Sequence, residues 1–244
     1  MIVTRTPFGC RLVTQADHAR LAGDILRLVR LPELLEHPRR ELLLRAVREH
    51  DNGWWEADSA PRLAASGGTA LDFRDFPADL RQEIWRRGIE RFAADSPYLA
   101  ALLAAHGLRL LRRAGGEASW AGFHTELAER QQELLEAAGG SLDEVAADDP
   151  WMELADGFSL AACTGEAAFV AVPGWQARVE LLGDGANAGE RVELGLQPFP
   201  FAGSTTFHLP CRTLAEARFD SDAALGVALV SAPWTRLQVR VRAL

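Results

Sequence analysis

Between residues 14 and about 163, apolar residues recur every three or four positions, the spacing of helices with one buried stripe each. Beyond residue 165 the pattern changes to short alternating runs broken by Gly, Pro, Asn and Asp, which is the signature of strands joined by turns. A short hairpin comes first, over residues 2–5 and 11–13. A helix then starts at Thr14, whose hydroxyl can cap it while Asp17 answers three residues on, and continues to about residue 30. Further helices are predicted over 38–50, 78–94, 97–113, 120–138 and 150–163, the last with Pro150 in its first turn. Residues 52–77 hold Gly53, Pro61, Gly67, Gly68 and Pro77 and read as a long loop. Strands are predicted over 167–172, 177–182, 191–196, 205–209 and 237–241. The whole reads as mainly α, α+β overall. An N-terminal β hairpin (1–13) leads into a helical domain (14–164), and a small antiparallel β subdomain (165–244) packs on that domain, with the hairpin able to join its sheet.

Composition narrows the chemistry. The chain has 244 residues, 48% of them apolar, and a formal net charge of −8. An acidic protein of this kind is not expected to bind a nucleic-acid backbone, although one basic pocket for a small phosphate is compatible with it. All 26 basic residues are Arg. Schiff-base catalysis and a Walker-type phosphate loop both need a Lys and are excluded. Cys10, Cys163 and Cys211 are odd in number and far apart, which fits neither a zinc pattern nor a disulfide framework and points to a reducing cytoplasm. No signal peptide and no membrane span are expected. The GDGANAG stretch at 183–189 follows a strand but opens no helix, so it reads as a turn and not a dinucleotide loop.

The placement of polar residues on the apolar stripes is more informative. Of the six histidines, His18 shares a helix face with Leu21, Ala22 and Ile25, and His50 with Leu43, Ala46 and Val47. His106 lies among Leu99, Leu102, Leu103 and Leu110, and His124 among Trp120, Phe123, Leu127 and Gln131. Asp156 falls on the stripe of Met152, Ser159, Leu160 and Cys163, and Asp51 directly follows His50. A single inward His is usually a satisfied core residue. Four of them with two inward carboxylates need a common partner, because an unpaired buried carboxylate costs several kcal/mol or more. One or two divalent ions would provide it, and a thiolate-free His/Asp set suits Fe, Mn, Zn or Mg. Adjacent helical residues diverge by about 100°, so His50 and Asp51 can act together only if Asp51 lies where the helix frays, before Gly53.

The order His18, His50-Asp51, His106, His124, Asp156 resembles the His-Asp (HD) metal-dependent phosphohydrolase superfamily over residues 14–163, closest to its dinuclear members, some of which are di-iron oxygenases. HARLAGDIL, LLLRAVREHDNG and ELADGFSLAA are similar to that superfamily's ligand-bearing helices. TQADHARLAG with EHDNGWW also resembles an uncharacterised bacterial family of unknown function. The resemblance implies an HD-type helical bundle. It implies that His18, His50, Asp51 and Asp156 hold one metal, while Asp51 bridges to a second held by His106 and His124, with Asp51 at the centre of catalysis. The Trp-rich loop after Asp51 and the appended strands depart from the superfamily pattern.

Gln15, Trp54, Arg130 and Gln131 are the expected substrate contacts, with Trp55 a further possible wall of the pocket. Arg109, Arg112 and Arg113 either bind phosphate or simply face water at a helix end. His37 and His208 are left outside the site. The expected function is metal-dependent hydrolysis of a small-molecule phosphate ester, nucleotide-like esters included, with a homodimer allowed. Two alternatives stay open: a di-iron oxygenase on a small organic or phosphonate substrate, and a non-enzymatic binding or regulatory module with structural histidines.

Overall fold

The computed structural model describes residues 1–7, 9–113, 118–183 and 191–244, with the side chains of residues 118 and 119 left aside. Most of the GDGANAG stretch therefore lies outside the described residues. Two strands open the chain, β1 (Ile2–Thr6) and β2 (Gly9–Val13). Helices α1 (Gln15–Leu28), α2 (Pro32–Leu35), α3 (Arg40–Glu49), α4 (Trp55–Ser59), α5 (Ala78–Ala93), α6 (Pro97–Arg113), α7 (Ala118–Ala138) and α8 (Leu142–Thr164) follow. Strands β3 (Ala168–Val172), β4 (Trp175–Leu182), β5 (Arg191–Gln197) and β6 (Thr205–Leu214), helix α9 (Asp222–Ser231) and strand β7 (Trp234–Ala243) complete it.

The strands form one curled, mixed sheet in the order β1-β2-β6-β7-β5-β4-β3. This corrects the expectation of a mainly α HD-type bundle carrying a small antiparallel β subdomain. About 54% of the chain is helical, and the seven-stranded sheet is a full structural layer assembled from both ends of the chain. β2 pairs with β6 through Cys10–Leu214, Arg11–Thr213 and Leu12–Arg212. β5 and β7 are parallel, and every other pairing is antiparallel. The period-2 pattern along β7 buries Leu237, Val239 and Val241 and leaves Arg236, Gln238 and Arg240 outside, so one face is core and the other meets solvent.

The buried face rests on α1 and α8, which cross the sheet side by side. Thr14 caps α1 by accepting from the Asp17 N–H and donating to its carboxylate. Helix α8 begins eight residues before Pro150 instead of at it. A capping box between Ser141 and Glu144 starts it, and the helix continues through the proline although residue 150 has no N–H to donate. The apolar run in α9 has no helical period and is legible only from Ser221, which caps it by accepting from the Ala224 N–H. Among the described residues no helix is long and apolar enough to cross a membrane.

Candidate metal centre

Four helices converge on one buried cluster. His18 lies one turn into α1, His106 on α6 and Asp156 on α8. His50 closes α3 with helical dihedrals, and Asp51 (φ −109°, ψ 19°) has already left them to start the turn Asn52–Trp54. That change of direction lets two consecutive side chains aim at the same place. It is fixed from outside: the Asn52 side-chain amide donates to the carbonyls of Glu49 and Gly88, and Gly53 lies flat against α5. A Cβ on Gly53 would come within 2.0 Å of the Ile84 carbonyl oxygen, so only glycine allows this crossing.

The ligating atoms are close. His18 Nε2 is 3.0 Å from Asp156 Oδ1 and 3.7 Å from Asp51 Oδ2. His50 Nε2 is 3.2 Å from Asp51 Oδ2 and 3.5 Å from Asp156 Oδ1. Two sets, His18/His50/Asp51 and His50/His106/Asp156, each offer ligating atoms within 4.8 Å of one another. All five residues are buried.

Hydrogen bonds behind the rings set which nitrogen faces the cluster. The Ser159 hydroxyl donates to the backbone carbonyl of His18 (2.8 Å) and therefore accepts from the His18 Nδ1–H (2.7 Å). His50 Nδ1–H donates to the Val47 carbonyl at 2.7 Å. Both rings thus turn Nε2 toward the two carboxylates, His50 Nε2 lying 3.2 Å from Asp51 Oδ2. Facing lone pairs repel unless a positive charge sits between them. Burial alone would push the His50 ring down, but the Asp51 charge, with contacts to Asp156, holds it well above 6.5. Burial would push both carboxyls up, yet His50 beside Asp51, and His18 and His50 beside Asp156, hold them below the usual range. In the metal-free protein a proton on His50 supplies that charge, and it is the position a divalent metal could take. The donor set fits a metal because each Nδ1–H is already committed to an oxygen, so Nε2 is the nitrogen left to ligate.

His106 belongs to the same cluster but faces a different partner. Burial and the neighbouring Arg109 guanidinium push its ring down to about 3, so it stays neutral. Arg109 Nη2 donates to His106 Nδ1 at 2.9 Å, and Asp149 holds Arg109 in turn (Nε to Oδ2, 3.0 Å).

The cluster opens into a cavity of about 530 Å³ whose walls include Gln15, Trp54, Arg74, Arg81, Arg113 and Trp120. Gln15 is buried with its Oε1 unpartnered, and Trp54 is buried against Phe73 and Phe76. Three other expected residues are placed elsewhere. His124 is exposed on α7, so the second ion implied by the resemblance lacks one of its two histidines. Arg130 forms ion pairs with Glu90 and Glu133 on the surface. Gln131 is buried but donates to the Ala101 carbonyl, tying α7 to α6. Trp55 is 69% exposed and lines a different depression, His37 contacts Asp148, and His208 is exposed on β6. Sequence reasoning missed Ser159 as the anchor of His18, although it shares the Asp156 stripe, and it missed Arg74 and Arg81, which no local pattern marks.

No curated protein matches this chain, and no solved structure does. One family does match, over residues 1–216, a span that includes every member of the His/Asp cluster and ends just past β6. The chain belongs to that family, described as protein of unknown function (DUF3891).

Proposed function

We propose that this protein is a metal-dependent hydrolase of phosphate esters. The observation that carries the reading is the convergence of two imidazole lone pairs and two carboxylates at the floor of an arginine-walled cavity. His18, His50, Asp51 and Asp156 would hold the ion, in the order in which the His-Asp superfamily carries its ligands. The likeness lies in ligand order and convergence, not in the overall architecture. A divalent cation held there would supply Lewis acidity toward a phosphoryl oxygen and a more nucleophilic water at neutral pH.

The chain's own groups do the rest. Arg74, Arg81 and Arg113 line the cavity, Arg74 held by Asp72 and Glu166 and Arg113 by Glu153, and a guanidinium so placed can take a phosphate oxygen in exchange for a carboxylate, which favours an anionic substrate. Trp54 and Trp120 supply apolar wall for the remainder of that substrate, and the cavity volume suits a molecule of nucleotide size. Gln15 offers its unpartnered Oε1 to a water or a substrate hydroxyl.

The test is phosphate release from a panel of phosphate mono- and diesters, nucleotides included, by protein loaded with Mn²⁺, Mg²⁺ or Zn²⁺. Metal-dependent release that disappears in Asp51→Ala and Asp156→Ala is expected. Release from no ester with any of these ions, or release undiminished in both variants, would overturn the reading.

A further inference from the structure

The three inward histidines are not equivalent. His18 and His50 each give their Nδ1–H to a fixed oxygen acceptor, Ser159 Oγ and the Val47 carbonyl, which leaves Nε2 as the nitrogen available to a metal. His106 is arranged the opposite way. Its Nδ1 faces Arg109 Nη2, and a guanidinium can only donate. Nδ1 must therefore be the acceptor, and in a neutral ring the single proton sits on Nε2. Arg109 is not free to turn away, because Asp149 grips it through both Nε (3.0 Å) and Nη2 (3.3 Å), and the residue is only 5% exposed. His106 also lines the cavity, and its ring stands edge-on to His50 with centroids 5.0 Å apart. An N–H at that place is useless as a ligand and suited to donating to an oxygen in the cavity.

We infer that His106 is a hydrogen-bond donor to a phosphoryl oxygen of the substrate, not a metal ligand, and that Arg109 is the positioning residue that fixes its tautomer. The inference rests on the metal-site reading for its substrate. Its tautomer claim stands apart from that reading and can be tested separately. It also gives the centre one ion bound by four residues, with an organic donor where a second ion would otherwise be held.

The full-length protein loaded with Zn²⁺ tests this with three readouts. Long-range ¹H–¹⁵N correlation of labelled histidines, assigned through His106→Gln, should show the His106 proton on Nε2 while His18 and His50 carry theirs on Nδ1. A His106 proton on Nδ1 would overturn the inference. In zinc competition with a chelator, His106→Ala should keep the wild-type stoichiometry and an affinity within about threefold, since it removes no ligand. Loss of one equivalent of zinc, or of more than about tenfold in affinity, would overturn it. Inorganic phosphate should bind His106→Ala about tenfold or more weakly, with His106→Gln, which keeps an N–H near the same place, recovering most of that loss. Equal phosphate affinity in wild type and His106→Ala would overturn it. Arg109→Met should leave zinc bound and release the His106 tautomer, and an unchanged tautomer there would remove Arg109 from the account. A wild-type protein that binds no zinc would instead sink the metal-site reading, while the tautomer spectrum of the same sample would still decide the state of His106.

Discussion

Ser159→Ala is the most informative single change near the metal centre, because the hydroxyl holds His18 by both its ring and its carbonyl and its one other partner, Cys163, lies outside the cluster. It accepts from the ring Nδ1–H at 2.7 Å and donates to the His18 carbonyl at 2.8 Å, at a position with no solvent exposure. Truncation leaves a buried N–H without an acceptor, which costs the metal-free protein about 1–3 kcal/mol. It also removes the reason for Nδ1 to hold the proton. The other tautomer, with Nε2–H turned toward Asp156, gains a hydrogen bond at 3.0 Å and becomes favoured, so a metal must first reverse it. Losing an orienting partner of this kind weakens metal affinity by about 10–100-fold, or about 1.4–2.7 kcal/mol. Competition with a chromophoric chelator measures that loss, and thermal melting of the metal-free protein measures the stability cost. Gln131→Ala is the matched control: it removes a buried hydrogen bond to the Ala101 carbonyl that involves no member of the cluster, so it should lower stability and leave metal affinity unchanged. Wild-type metal affinity in Ser159→Ala, within about threefold, would refute the view that this hydroxyl sets the ligating tautomer.

Other outcomes follow from the same geometry. In the metal-free protein the His50 ring is held above 6.5, so its contribution to stability is full below that pH and is lost as pH rises through the raised folded value. Asp51 and Asp156 are held below 3.8, so theirs is present above that pH and is lost as pH falls through the depressed values. A bound metal replaces the His50 proton, so the gap in Tm between metal-loaded and metal-free protein should widen with pH above about 6.5, and a gap independent of pH in differential scanning calorimetry would contradict this. Gly53→Ala should destabilise by about 1–3 kcal/mol or more in urea unfolding, because its methyl meets the Ile84 carbonyl. Gly122→Ala, with open space around it on α7, should instead stabilise by about 0.5–1 kcal/mol. Arg74→Ala should raise the KM for an anionic ester about 3–10-fold with little change in kcat, the effect being modest because the side chain is 48% exposed.

Five of the six residues expected as ligands converge, and that convergence was legible because helical spacing is a local property. His18, His50, His106 and Asp156 each lie on an apolar stripe, and a polar residue there has to point inward. Asp51 was legible only through its neighbour and Gly53. His124 shows the limit of that reasoning. It sits at the edge of a stripe whose centre is occupied by Phe123, Leu127 and Leu134, and a modest rotation of α7 turns it to solvent. Strand positions were legible by period, and their assembly was not. Pairing β2 with β6 joins residues about two hundred positions apart, and the parallel β5–β7 contact leaves no mark in either strand's pattern. The arginine wall is likewise a product of chain crossing: Arg74 comes from the loop before α5, Arg81 from α5 and Arg113 from the end of α6.

Anomalous scattering from crystals of the protein loaded with Mn²⁺ or Zn²⁺ tests the central claim most directly. The expected result is a peak enclosed by His18 Nε2, His50 Nε2 and the carboxylates of Asp51 and Asp156, with His106 outside its coordination shell. Fully loaded crystals with the ion bound elsewhere, or with these four side chains turned away from it, would contradict the account.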